Sequence, residues 1–366
     1  MGCGGLGGWI AARLTRDGHE VLGVTHNLEV ADAIRRRGYV LRGRDATETV
    51  PGTAVAELTD EGPFDLALLA TQPTTVVDAA RAALPSLRPG ADLVCLQNGI
   101  CETRVAQVAG ADRVIGAVVG WGASMPEPGV YDRTSDGGFV IGRVDGRRDA
   151  ALDSVATLLG GLGRVDVTEN LMGARWSKLA INCAISALGT IGGDRLGRLI
   201  RYRFVRRMGL EIMTEAVLTA QRSGLSLEKI AGLFDLDQVA LTPREALASS
   251  SPGIALKHAI LLGVGVKFRR LRSSMLAAIE RGREPAVDYL NGEVVHHGGR
   301  LGVATPLNHR VQRTIHSIAS GDARSGLELL RRVYRDSRRE VRDAASADYR
   351  IDRGRASEPG DLERAG

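Results

Sequence analysis

The 366-residue sequence predicts an α/β domain followed by an all-α domain. Three observations carry this. The chain opens on a glycine-rich run, Gly2-Cys3-Gly4-Gly5-Leu6-Gly7, that reads G-x-G-x-x-G. From there to about residue 145, short apolar runs of β type alternate with helical periodicity, the pattern of a parallel sheet with helices on both faces. From about residue 170 to 335 the periodicity is helical almost throughout, punctuated by Pro243, Pro252, Pro285 and Pro306.

Trp9 to Asp17 reads as a helix with Ile10, Ala11 and Leu14 on one side, ended at Gly18-His19. Glu20 to Val24 is a short strand, Val30 to Arg37 a helix, and Tyr39-Val40-Leu41 another strand. Phe64 to Ala70 is a nearly continuous apolar run, as expected for a strand buried on both faces. Val76 to Ala83 is helical, Ala91 to Leu96 a buried strand ending at Gln97-Asn98-Gly99, and Val114 to Val119 and Gly138 to Ile141 are later strands. Residues 150–163 read as a helix leading out of the sheet. The expected division is 1–165 for the α/β domain, 166–340 for the helical domain, and a disordered tail at 341–366, where apolar residues become few.

Composition narrows the function. A hydrophobic content of 44% suits sizeable cores, and the formal charge is +5. Arg331, Arg332, Arg335, Arg338, Arg339 and Arg342 cluster near the C-terminus among acids, which reads as a solvated helix face, and no nucleic-acid motif accompanies them. Cys3, Cys95, Cys101 and Cys183 show neither a C-x-x-C pair nor a metal spacing with histidine, so buried thiols and no metal site are expected. No signal peptide and no apolar run of about eighteen residues is present. The expectation is a cytoplasmic protein without membrane or nucleic-acid partners.

The glycine run carries the first chemistry. Gly2 suits a tight turn, Gly4 lets the backbone approach a pyrophosphate, and Gly7 allows a helix to pack closely on a strand. Residues Gly2, Cys3, Gly4, Gly5, Leu6 and Gly7 are thus candidate cofactor contacts. A buried strand normally precedes this fingerprint, and here only Met1 does. The central strand is therefore expected either upstream of Met1 or not at all. The second strand ends Val24-Thr25-His26-Asn27 without a carboxylate at its tip, with Arg35-Arg36-Arg37 beyond. An acid there would bind the ribose hydroxyls of NAD. Neutral donors near positive charge suit the 2′-phosphate of NADPH.

A second constellation is Arg175 to Leu188. On a helix Lys178, Asn182 and Ser186 fall at i, i+4 and i+8 and form one polar stripe, while nearly everything else from Leu179 to Leu188 is apolar or small. A lysine on such a helix faces either an exposed edge or a polar cleft, and in a cleft it can protonate a developing alkoxide. A third constellation runs Arg269 to Leu276, turns at Gly282, and restarts as a helix near Pro285, with Asp288-Tyr289-Leu290-Asn291-Gly292.

Five segments in order make the chain resemble the ketopantoate reductase (2-dehydropantoate 2-reductase) family over about residues 2 to 320. They are the G-x-G-x-x-G, Gln97-Asn98-Gly99, Trp176-Ser177-Lys178-Leu179-Ala180-Ile181-Asn182-Cys183, Ser273-Ser274-Met275-Leu276 leading to Asp288-Tyr289-Leu290-Asn291-Gly292, and Gly302-Val303-Ala304-Thr305-Pro306-Leu307-Asn308. The resemblance implies a Rossmann-like N-terminal domain, a helical C-terminal domain and NADPH in the cleft between them. It implies reduction of the ketone of 2-dehydropantoate, a step towards pantothenate. By position, Lys178 would be the acid at the reduced carbonyl, and Asn98 would sit beside the nicotinamide and the lysine. Asn182 and Ser274 would hold the substrate's hydroxyl and carboxylate.

The departures fall mostly on the substrate side. The family's T-E-I-D-Y-x-N-G carries a glutamate where this chain has Ala286, and the aspartate usual after the family's S-M-L-x is Ala278 here. Ser186 stands at a second substrate-side asparagine, Gln72 where a lysine is frequent after the fourth strand, and His26 where an arginine is frequent at the end of the second. Ser186 is thus a candidate substrate contact, and His26 and Gln72 candidate cofactor contacts. Three readings stand: an NADPH-dependent reductase of 2-dehydropantoate or a similar 2-keto acid, a reductase of the same fold for another carbonyl substrate, and a dinucleotide-binding protein with little catalysis. A small-molecule substrate is the expected partner, and the sequence leaves a homodimer open.

Overall fold

The computed structural model describes residues 1–43, 46–229 and 236–357. Its contacts divide the chain into two compact units, Met1–Lys178 with Ser226–Phe234, and Leu179–Leu225 with Asp235–Gly366.

The first unit begins with α1 (Gly5–Arg16), β1 (Leu22–Val24), α2 (Leu28–Arg37), β2 (Tyr39–Arg42), β3 (Thr47–Val50), β4 (Thr53–Val55) and β5 (Phe64–Leu69). It continues through α3 (Val76–Ala83), β6 (Leu87–Cys95), α4 (Glu102–Ala109), β7 (Val114–Val119), β8 (Ala123–Glu127), β9 (Val130–Arg133), β10 (Phe139–Arg143), α5 (Ala150–Gly160) and β11 (Val165–Val167). Helix α1 starts four residues earlier than the periodicity suggested, because Gly5 and Gly8 pack where a Cβ would meet Ala123 O at 2.6 Å and the Tyr131 ring at 2.1 Å. Ile10, Ala11 and Leu14 are buried as expected, in a core shared with Trp121, Tyr131, Phe139 and Ile141.

The sheet is not uniformly parallel. Strands β5, β6 and β7 pair in parallel, but β10 runs antiparallel to β7, and β11 then joins β10 in parallel. Residues 150–163 therefore do not lead out of the sheet. Helix α5 is a crossover that returns the chain to it. A separate four-stranded sheet of order β3-β2-β9-β8 covers the other side of α1, and a two-stranded parallel pair joins β1 to β4. These extra strands are short and partly exposed, so they lack the apolar run that made β5, β6 and β7 legible.

Met1 and Gly2 join the β1-β4 pair to the sheet that contains β5. The Met1 amino group donates to Leu68 O at 2.9 Å, and Ala70 N donates to Met1 O at 2.8 Å. On the other side Gly2 N donates to Val24 O at 2.7 Å. The backbone ahead of the glycine fingerprint thus lies between β1 and β5, the place of the central strand in a dinucleotide fold.

Helix α6 (Leu171–Gly192) starts where the Asn170 side chain accepts from Gly173 N at 3.0 Å, and the boundary between the units falls within it, after Lys178. The second unit contains α7 (Leu196–Leu199), α8 (Arg203–Arg222), α9 (Pro243–Leu247), α10 (Pro252–Lys267), α11 (Ser274–Glu280), α12 (Asn291–Leu301), α13 (Pro306–Ala319) and α14 (Leu327–Ser357). Among its described residues no strand occurs. Helix α8 is its centre, packed by α10, α12, α13 and α14.

Two expectations change here. The stretch from Pro285 is a 3-10 turn, Ala286–Tyr289, and the α-helix begins only at Asn291. The tail expected to be disordered from residue 341 continues α14 through Ser357, because Val341 and Ala345, one turn apart, are buried and Arg339 pairs with Asp343. Its last part, 358–366, lies outside the described residues.

Candidate active site

The three glycines of the fingerprint have three different surroundings. Gly2 takes φ +92°, and a Cβ there would come within 2.8 Å of the Ala70 and Thr71 backbone. A Cβ on Gly7 would lie 1.9 Å from Gly2 O and 2.8 Å from Ala70 Cβ. A Cβ on Gly4 would meet no atom within 4 Å. Gly2 and Gly7 are thus required by the fold, whereas Gly4, which caps α1 without a side-chain hydrogen bond, faces open space. This is the arrangement a pyrophosphate needs at a helix N-terminus. Cys3 is buried rather than presented, its thiol directed at Val24 O and its carbonyl accepting from the Tyr131 hydroxyl at 3.1 Å. Gly5 abuts Ala123 O, and Leu6 packs against the core.

At the tip of β1, Asn27 Oδ1 accepts from Val30 N at 3.2 Å and caps α2, so Thr25 and His26 remain as the donors that face solvent. Of the following arginines, Arg35 pairs with Asp32 and Arg37 donates to Pro128 O, while Arg36 is exposed and has no partner among the described residues. Gln72 is exposed at the end of β5, just ahead of a short 3-10 turn.

The loop after β6 is held by groups whose role the sequence did not reveal. Gln97 Nε2 donates to Leu69 O and Thr71 O, tying the loop to the end of β5. Arg175, on α6, donates to Gln97 O and Cys95 O at 2.8 Å each and forms a buried ion pair with Glu102. Asn98, between these anchors, keeps its side chain exposed. The sequence signal for the pair is one-sided: Arg175 stands between Ala174 and Trp176 at the head of an apolar helix, whereas nothing around Glu102 marks it as buried.

Lys178 lies one turn beyond Arg175. Its Nζ donates to Val119 O at the end of β7. Burial, and next the positive charge of Arg175, push its pKa down to about 7, against a smaller upward pull from Glu102. An ammonium poised near neutrality can both carry and release a proton. Along α6, Lys178, Asn182 and Ser186 are half-buried while Leu179, Ala180, Ile181, Cys183, Ala184, Ala187 and Leu188 are buried, so the polar stripe is present as spaced.

In the helical unit, Ser186 O accepts from Thr190 and Ser273 hydroxyls, which fixes the start of α11. Ser273 caps that helix through Leu276 N, and Ser274 is left exposed beside it. Asn291 Nδ2 donates to Asn308 Oδ1 at 2.8 Å. Asn308 and Leu307 in turn hold the Glu215 carboxylate through two backbone N–H groups and the Asn308 amide. Burial nevertheless pushes the Glu215 carboxyl up to about 7. The closing Gly-Val-x-Thr-Pro-x-Asn segment thus has a structural duty. Among the described residues no histidine, cysteine and carboxylate cluster could hold a metal ion, and no helix is long and apolar enough to cross a membrane.

Comparison with known proteins decides the lineage. The family model for ketopantoate reductase PanE/ApbA matches residues 1–146, and that for the C-terminal part of the same family matches residues 170–319. The chain belongs to the ketopantoate reductase family. A 2-dehydropantoate 2-reductase of Pyrococcus horikoshii is 25% identical over 317 residues, covering 84% of this chain and 92% of that protein. One of Halobacterium salinarum is 30% identical over 235 residues, covering 63% and 76%. Among solved structures, a PanE/ApbA family ketopantoate reductase from Ralstonia eutropha superposes with a TM-score of 0.73 at 26% identity, covering 88% of this chain and 97% of that one. A D-mandelate dehydrogenase solved with NADH and anilino(oxo)acetate has a TM-score of 0.73 at 18% identity, over 87% and 97%, a likeness of fold. The chain is accordingly an oxidoreductase of the ketopantoate reductase family.

Proposed function

We propose that the chain reduces a 2-keto acid with NADPH, that 2-dehydropantoate is the substrate, and that Lys178 is the proton donor. The observation that carries this is the state of Lys178: a half-buried ammonium, hydrogen-bonded to Val119 O, with its pKa near 7. Residues 1–165 serve the cofactor and 166–340 the substrate. The bound dinucleotide supplies the hydride. The chain's own residues do the rest. Gly2, Gly4 and Gly7 admit the pyrophosphate, and Thr25, His26 and Arg36 favour a 2′-phosphate. The Lys178 ammonium stabilises the alkoxide oxygen and then transfers its proton there. Asn98 orients the reacting carbonyl, while Asn182, Ser186 and Ser274 bind the substrate's polar groups. All four cysteines are buried and none is in a disulfide, which suits a reducing cytoplasm.

The test is NADPH oxidation with 2-dehydropantoate and a panel of 2-keto acids, beside fluorescence titration of NADPH and NADH. Turnover of 2-dehydropantoate, with NADPH bound at least about tenfold tighter than NADH, supports the reading. Tight binding without turnover of any keto acid overturns it. A second reading, a different 2-keto acid, is favoured by Ala286, Ala278 and Ser186, three positions where the chain lacks the family's polar side chain. In that case the panel identifies another substrate while Lys178 keeps its role.

A further inference from the structure

The C-terminal arginines are not all a solvated face. Arg338 and Arg342 on α14, with Arg203 and Arg207 from the first turns of α8, line a cavity of about 350 Å³ whose walls include Phe204, Tyr334 and His258. Four guanidiniums line it and no carboxylate does. Behind the wall one acid, Glu211, is shared by Arg207 and Arg338. Elsewhere on α14, Arg331 pairs with Glu328, Arg335 with Asp336 and Arg339 with Asp343. Among the described residues Arg342 has no acid partner, and the Arg203 guanidinium donates to Ser249 O at 3.0 Å. Four like charges gathered at one wall with a single carboxylate behind them repel one another, a cost that a bound anion lowers.

His258 is the second observation. It is only 8% exposed, and its Nδ1 accepts from Arg206 Nε at 3.3 Å. The neutral ring must then carry its proton on Nε2, by the assignment that hydrogen bond imposes. Among the described residues no acceptor takes that N–H. Burial, and next the charges of Arg206, Arg203 and Arg207, hold the imidazole down to about 4, so it stays a neutral donor at physiological pH.

We propose that this cavity in the helical unit is a binding site for a small polyanionic metabolite carrying at least two phosphate groups, separate from the residues assigned to the reaction. Arg203 and Arg342 are the forks that would take phosphate oxygens in bidentate fashion, and His258 Nε2–H is the neutral donor at the buried end. The volume exceeds that of one orthophosphate several-fold, which is why the ligand is given more than one phosphate.

Inorganic pyrophosphate is the probe, titrated into the full chain while the His258 ring is followed by NMR, assigned with His258→Gln. The expected result is a saturable shift of the His258 resonances and a His258 pKa raised by about one unit or more, because a bound anion favours the imidazolium. Arg203→Gln with Arg342→Gln, both at exposed side chains, should weaken pyrophosphate binding at least about tenfold and leave Tm unchanged. Orthophosphate should bind distinctly more weakly. His258 reports only its own cavity, so pyrophosphate held at the glycine loop leaves it unmoved. A His258 resonance that does not respond at millimolar pyrophosphate, or a double variant that binds as tightly as wild type, overturns the proposal.

Discussion

Arg175 precedes Lys178 by one turn of α6, and the charge of the first adds to burial in holding the second near a pKa of 7. The same guanidinium anchors the loop of Asn98 through Gln97 O and Cys95 O and is itself compensated by Glu102. One buried pair therefore both shapes the loop and tunes the lysine.

Lys178→Ala should abolish most activity while sparing the cofactor. General acid catalysis contributes about 10²–10⁴-fold, and the loss should fall on kcat with the NADPH dissociation constant within about threefold of wild type. Steady-state kinetics and fluorescence titration measure the two. Activity within threefold of wild type would make Lys178 a structural lysine.

The pH dependence follows from the same group. Reduction needs the protonated lysine, so kcat/KM should fall as pH rises through about 7. Glu102 pulls the Lys178 pKa up, so Glu102→Gln should move that alkaline limb to lower pH. Stability moves the other way. The folded pKa lies below the ordinary 10.5, so between about 7 and 10.5 the unfolded chain binds the extra proton and Lys178 favours folding more as pH rises. Lys178→Met should remove that slope from denaturant midpoints measured across the window. An alkaline limb that stays above pH 9 would mean a different acid.

The glycines separate fold from cofactor. Gly7→Ala forces a Cβ to within 1.9 Å of Gly2 O and should destabilise the α/β unit by about 1–3 kcal/mol or prevent folding. Gly4→Ala meets no protein atom, so Tm should hold while NADPH affinity falls about tenfold or more. Thermal melts beside cofactor titration test the pair. Equal cofactor binding in Gly4→Ala and wild type would remove the pyrophosphate from this loop.

What was legible in the sequence had a strong local signature. Strands β5, β6 and β7 are apolar runs, and the stripe of Lys178, Asn182 and Ser186 is pure helical periodicity. Strands β3 and β8 were not legible, because they are short, largely exposed edge strands, and β9 because it pairs with β2 some ninety residues earlier. The antiparallel entry of β10 depends on pairing that no local pattern records. The site followed the same rule. Lys178 stood out as a charge on an apolar helix, while Glu102 looked like an ordinary first-turn acid until the fold buried it against Arg175.

Asn308→Ala tests whether the last motif is structural. It removes one of three N–H donors to Glu215 and leaves Asn291 Nδ2 without its side-chain acceptor, both in the buried centre of the helical unit. The expected loss is about 1–3 kcal/mol of stability, read from denaturant melts, with KM for the keto acid little changed in the folded fraction. A KM rise with stability intact would instead place Asn308 among the substrate contacts.

Ala286 is the sharpest test of the substrate. It opens the 3-10 turn Ala286–Tyr289, half-buried, whereas Glu284 lies exposed in the loop before Pro285. Glu284 therefore belongs to a different local structure from the position of the family's glutamate and should not replace it. If that glutamate helps turn over 2-dehydropantoate, Ala286→Glu should raise kcat/KM for this substrate by about tenfold, roughly 1.4 kcal/mol of transition-state stabilisation. Glu284→Gln should change little. An efficient wild type made slower by Ala286→Glu would mean that another group does the glutamate's work. If neither form accepts 2-dehydropantoate and another keto acid is reduced, the substrate side has been rebuilt. The variants to make next are then Ala278→Asp and Ser186→Asn, each restoring the family's side chain at a place where this chain has lost it.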